Sequence, residues 1–101
     1  MTLKIHRSVE REEAVFTLIG RIQAAQVPEL LALLRSELSS HRVVLDLAQV
    51  KLVDRDAVLF LALSETLGAR LRNCSAYIRK WIDQERNAHR GQSEDTKELE
   101  G

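Results

Sequence analysis

One cysteine, one proline, four glycines and four aromatic residues among 101 positions exclude several kinds of protein at the outset. Cys74 alone cannot form an internal disulfide, and no basic-then-apolar leader opens the chain, so a reducing, cytoplasmic setting is expected. An excess of one charge is also missing. Fifteen basic and fifteen acidic side chains cancel, with the signs alternating along the chain, which leaves no electrostatic footprint for nucleic acid or an anionic membrane. The basic pairs Arg70/Arg72 and Arg79/Lys80 read as solvated faces. The longest apolar run, Ala57 to Leu63, falls far short of the span of about 20 residues that a membrane-crossing helix needs, so no membrane insertion is expected. No glycine-rich loop is present to cradle a phosphate. His6, His41 and His89 are scattered without the spacing of a metal site and are expected to be solvated. Neither a metal nor a cofactor is therefore expected.

What is there is the composition of one small globular domain, 45% apolar and 30% charged. A chain of this size buries roughly two thirds of its unfolded surface, enough for one core but not for a deep enclosed pocket as well. Leu3 and Ile5 alternate with polar neighbours, a charged turn follows at Glu10–Glu13, and Ala14 to Ile22 resumes as a second strand. Pro28 is tolerated in the first turn of a helix, and Val27, Leu30, Leu31, Leu34 and Leu38 then recur at three and four on one face up to about Ser39. Arg42 to Ala48 is nearly continuously apolar, the pattern of a central strand. Asp54 can cap a helix over Arg55 to Leu67 that Gly68 ends. A short strand at Arg70–Asn73 and a last helix capped by Ser75 follow, with Tyr77, Ile78, Trp81 and Ile82 as the stripe closing over the core. The order is β-β-α-β-α-β-α, with the domain over residues 1–87 and a polar tail, expected to be disordered, over 88–101.

Three stretches together resemble the STAS family of anti-sigma factor antagonists: Leu18-Ile19-Gly20-Arg21-Ile22, Val43-Val44-Leu45-Asp46-Leu47 and Leu52-Val53-Asp54-Arg55-Asp56-Ala57, with Gly68-Ala69-Arg70-Leu71 fitting the next strand. The resemblance covers about residues 2 to 86. It implies an α/β domain, a mixed four-stranded sheet with about three helices, and a protein partner docked around the loop before the second helix. In the antagonists that loop reads Asp-Ser-Ser-Gly, and a kinase partner phosphorylates the serine to switch docking off. Here Asp54 keeps the aspartate, Arg55 and Asp56 replace the serines, and Ala57 replaces the glycine. Asp56, the phosphosite equivalent, supplies a fixed negative charge where phosphoserine would carry roughly −1.5 to −2. It either mimics the modified state, as a pseudo-phosphosite, or simply complements the helix dipole or pairs with Arg55.

The reading this supports is a non-catalytic domain of bacterial transcription regulation or signalling, binding a protein through Asp54, Arg55, Asp56, Ala57, Leu59 and Leu63. Asp54 would anchor the loop, Asp56 set its charge, Arg55 reach an acidic group and the two leucines add apolar contact. The helix from Arg55 has two apolar faces, so Leu59 and Leu63 are covered either by the last helix or by an external surface. The partner is expected to be an anti-sigma kinase relative, another regulator or a second copy in a homodimer. An accessory subunit of an ATP-driven lipid transporter is the alternative within the family. From a different class, Asp46, Asp54 and Asp56 suggest a magnesium- or nucleotide-binding sensor or enzyme, against a structural Asp46 bonding nearby backbone. Cys74 is expected to pack at a strand-to-helix corner, and Ser64 to bond its own helix backbone.

Overall fold

The first two strands form a hairpin whose turn is tighter than its charged sequence suggests. Leu3–Glu10 (β1) pairs antiparallel with Glu13–Ile22 (β2), Glu10 opposite Glu13, so the loop is only Arg11-Glu12. Both residues have positive φ, 52° and 74°, the backbone of a type I′ turn that usually takes Asn-Gly because a side chain crowds this region. In this computed structural model, which describes the backbone of residues 3–100 and the side chains of residues 3–88, the chain then forms a short 3-10 turn (Ala24–Gln26), α1 (Val27–Leu38), β3 (Arg42–Val53), α2 (Arg55–Thr66), β4 (Arg70–Arg72) and α3 (Ala76–Glu100). The fold is α/β. Its four-stranded sheet has the order β1-β2-β3-β4, antiparallel between the first pair and parallel thereafter.

The helices cover one face of the sheet. Ala14, Phe16, Leu18 and Ile22 of β2 and Val43, Leu45, Leu47 and Val53 of β3 share a buried cluster with Leu30 and Leu34 of α1, Ala57, Val58, Phe60 and Leu61 of α2, and Ile78 and Ile82 of α3. Val15 and Val44 are paired across β2 and β3 and buried, but they lie outside that cluster, on the opposite face. β3 is longer than its apolar run predicts and continues to Val53. The partner of Thr17 is Asp46 and that of Ile19 is Gln49, so β3 carries an extra residue there; a second register shift falls between Gly20 and Arg21. Such bulges bend a strand and re-aim its end, and they hide the simple alternation by which a strand is recognised.

Helix boundaries follow local chemistry. Ser75 Oγ accepts from the Ile78 N–H at 3.2 Å, capping α3. Gly68, at φ 111°, ends α2, and the N–H groups of Gly68 and Ala69 return to the carbonyls of Glu65 and Ser64 at 3.1 and 2.9 Å, a Schellman closure. The α3 stripe differs from expectation at one end: Ile78 and Ile82 are buried and Trp81 half-buried, but Tyr77 is 62% exposed. The expected tail over 88–101 falls mostly outside the described side chains, which end at residue 88.

Candidate docking site

In a parallel β-α-β arrangement the strand ends that lead into helices come together, and open α/β sheets characteristically bind at that end. Here one carboxylate ties the two crossings. Asp54 has extended backbone, φ −106° and ψ −177°, and its Oδ1 accepts from the Ala57 N–H at 2.9 Å as the cap of α2. Its Oδ2 accepts from the Ala24 N–H, also at 2.9 Å, in the turn before α1. Its own N–H donates to the Ile22 carbonyl at 3.3 Å. Asp54 thus fixes the start of α2 against the end of β2 and the approach to α1.

Arg55 and Asp56 then diverge. The Arg55 guanidinium reaches Glu85 of α3, Nε to Oε2 at 3.3 Å and the second nitrogen to Oε1 at 3.4 Å, and the Trp81 indole N–H donates to the same Oε2 at 3.3 Å. Arg55 is therefore engaged by α3 and not by Asp56. Asp56 is exposed in the first turn of α2, where the helix dipole favours a negative charge. It faces a groove of about 310 Å³ between α1 and α2, lined by Ala24, Val27, Pro28 and Leu31 on one wall and by Leu59, Phe60 and Leu63 on the other. Leu59 is half-buried and Leu63 38% exposed. Leu59 and Leu63 line a groove against α1 and are not closed over by the last helix, whose Arg79 and Arg86 reach α2 at Ala62 and Glu65. Ala57 is fully buried, so its side chain belongs to the core and its N–H to the Asp54 cap.

The α2–α3 contact is held by charges whose pairing no local pattern announces. Glu65 takes both terminal nitrogens of Arg79 at 2.8 Å and one from Arg86 at 3.0 Å, and that Arg86 nitrogen also lies 3.0 Å from the Ala62 carbonyl. The Arg79 hydrogen bond holds the Glu65 carboxyl below its usual range, although partial burial pushes the other way. Arg79, expected to be solvated, also meets Asp83 at 3.4 Å. His41, likewise expected to be solvated, is half-buried with Nδ1 2.7 Å from Glu37 Oε2. Glu37 also takes the Arg7 guanidinium at 2.9 and 3.0 Å, tying α1 to β1.

The acidic trio does not form a site. Asp46 Oδ1 accepts from the Ala48 N–H at 3.0 Å, at the β3 bulge, and from Asn73 Nδ2 at 3.1 Å. Its Oδ2 meets Arg72 at 3.3 and 3.4 Å. The Ala48 N–H is the chief reason its carboxyl lies below the usual range. Asp54 is used by two backbone amides, and among the described residues no three His, Cys, Asp or Glu side chains come together as metal ligands. Ser64 is fully buried and donates to the Phe60 carbonyl at 2.8 Å. Cys74 packs half-buried against the core, and burial pushes its thiol up. Among the described residues no helix is long and apolar enough to cross a membrane.

No protein-family profile matches the sequence, and no curated protein does. Solved structures do match the fold. The Bacillus cell fate determinant SpoIIAA in its phosphorylated form is 17% identical with a TM-score of 0.62, over 83% of each chain. The anti-sigma factor antagonist SpoIIAA in its unphosphorylated form is 17% identical with a TM-score of 0.63, over 90% of this chain and 98% of that one. The fold is that of STAS domains. A STAS domain of an anti-sigma factor antagonist from Rhodobacter sphaeroides agrees, at 19% identity and a TM-score of 0.56 over 74% of this chain and 94% of that one. The helix that Asp54 caps lies beside a wall that the sequence pattern does not mark. Val27, Pro28 and Leu31 are legible as helix start and apolar face, but nothing in their spacing marks them as groove rather than core, and Ala24 carries no signal at all.

Proposed function

We propose that this STAS-fold chain is a non-catalytic regulatory domain that docks a protein partner through Asp54–Ala57 and the groove beside Leu59 and Leu63, without serine phosphorylation. The observation that carries this reading is the groove itself: an apolar channel open to solvent, with one carboxylate at its mouth, at the strand ends where this class of sheet binds. Asp54 holds the loop in shape through two backbone bonds, so the surface is preformed and binding pays little ordering entropy. Asp56 presents a permanent charge where the related loops carry a serine. Neither Arg55 nor Asp56 has a hydroxyl, which supports a docking surface set by sequence and not by a kinase. Arg55, drawn toward Glu85, stiffens the loop from the α3 side while its side chain stays 66% exposed beside the groove's mouth.

The neighbours named as anti-sigma factor antagonists support an anti-sigma kinase relative or a similar cytoplasmic regulator as the partner. Co-purification of the intact protein beside an Asp56→Ser variant, with mass-spectrometric identification of partners and of phosphate, tests this. The reading expects the same unmodified partner with the native chain and a phosphate, if any, on the variant only. Phosphate on a serine or threonine of the native chain that releases the partner, or a partner retained by a Leu59→Glu/Leu63→Glu variant, would refute it.

A further inference from the structure

Two surface features face different directions and complement each other. The first is the α1/α2 groove, concave and apolar, with Asp56 at its mouth; the Asp56 carboxylate has no partner among the described residues. The second is a row on α3, Tyr77, Lys80, Trp81 and Gln84, spaced at i, i+3, i+4 and i+7 and bordering a shallow depression of their own. Tyr77 is the most exposed large apolar side chain in the described part of the molecule. Its ring leans on Trp81 with centroids 5.8 Å apart at 56°. Trp81 is in turn fixed by its bond to Glu85, which Arg55 also holds. Lys80 is exposed and has no acidic partner among the described residues. The row is thus an exposed aromatic ridge along the rim of that depression with one free cation, and the groove an apolar slot with one free anion.

One chain cannot bring them together. Ile78 and Ile82, on the adjoining face of α3, are buried in the core, which fixes the ridge on the outer side of α2 from the groove. A second copy supplies the missing half. We infer that this protein self-associates head to tail, the Tyr77–Trp81 ridge of one copy seating in the α1/α2 groove of the next with Lys80 against Asp56. Groove-to-groove pairing is disfavoured, because it brings two Asp56 carboxylates together and leaves Lys80 without an anion. A head-to-tail contact leaves a free groove and a free ridge at its ends, so it extends into a chain of copies or closes into a ring. Assembly of this kind occupies Leu59 and Leu63 and therefore excludes a partner from the same groove. The inference shares Asp56, Leu59 and Leu63 with the partner-docking reading but adds Tyr77, Lys80, Trp81 and Gln84, which take no part in that reading, so the purified chain alone reports on it.

Sedimentation velocity of the full chain, from micromolar to sub-millimolar concentration, tests it with Asp56→Lys, Lys80→Glu and both together; these positions are exposed, and circular dichroism melting checks that each variant folds. The expected result is concentration-dependent growth past the dimer, weakened about tenfold by each single reversal and by added salt. It returns in the double variant and in an equimolar mixture of the two single variants, because each mixture partner supplies the charge the other lacks. A monomer throughout that range overturns the inference. So does association that ignores both reversals, or single losses that neither the double variant nor the mixture restores. A foreign protein occupying the groove while the purified chain stays monomeric overturns it equally and leaves partner docking intact.

Discussion

Replacing Asp54 with alanine should be the most damaging single change to the loop, and its cost can be worked from two distances. The cap bond to Ala57 N–H and the cross-loop bond to Ala24 N–H are both 2.9 Å. Loss of a side-chain helix cap costs about 1 kcal/mol. Loss of a second, solvent-reachable hydrogen bond costs about another 1 kcal/mol, because water can reclaim the freed donor. A total of about 2 kcal/mol lowers the Tm of a domain of this size by roughly 8–16 °C. Asp54→Asn should cost about half as much, since its carbonyl keeps the cap while its NH2 faces the Ala24 donor. Asp56→Ala, which only forgoes a dipole interaction, should cost about 0.3–1 kcal/mol. Thermal and urea unfolding followed by circular dichroism give all three values. If Asp54→Ala unfolds no earlier than Asp56→Ala, the argument that Asp54 joins the two crossings is wrong.

The Arg11-Glu12 turn carries two side chains in left-handed backbone, so Arg11→Asn with Glu12→Gly should stabilise the domain by about 1–2 kcal/mol in urea unfolding. Glu65, Glu37 and Asp46 are all held below their ordinary values of 4.5, 4.5 and 3.8. The unfolded chain therefore binds their protons more readily, and their stabilisation is complete above those values and lost as pH falls below them. Glu65→Gln should accordingly flatten the acid limb of a stability-against-pH curve, and an unchanged limb would count against the Arg79 clamp. Ile82→Ala removes a fully buried side chain joining α3 to the core and should cost about 2–5 kcal/mol by the same unfolding measurement. Cys74, with its thiol pushed up by burial, should alkylate slowly at neutral pH and rapidly only in denaturant, as mass spectrometry of timed samples would show.

Elements with strong local signals were readable from the chain. Pro28, the Asp54 cap, Gly68 and the Ser75 cap each stand where the structure begins or ends a helix, because capping is a matter between near neighbours. The β-β-α-β-α-β-α order follows from them. Strand arrangement did not follow from periodicity and came with the resemblance to STAS domains. The end of β3 was lost because its extra residues break the alternation through which strands are seen. Long-range polar pairs were equally invisible: Arg55 with Glu85, Arg79 with Glu65 and Arg7 with Glu37 join residues far apart in sequence, each in a charge-rich stretch with several equivalent candidates. The groove was half legible. Leu59 and Leu63 stood out as a surplus apolar face of α2, but their opposite wall on α1 looked like core, since periodicity reports that a face is apolar and not what covers it.

The most direct test of docking through the groove is a photo-crosslinking amino acid placed at Leu63, and separately at Leu33, in the full chain inside its native cells. Leu33 is a fitting control: it is exposed to a similar degree, 40% against 38%, but lies away from the groove on α1. Crosslinks at position 63 to a protein other than a second copy of this chain, and none at position 33, abolished by Asp56→Lys, are the result the account predicts. Adducts at position 33 with none at position 63 would contradict it, placing the interface on another face of the domain.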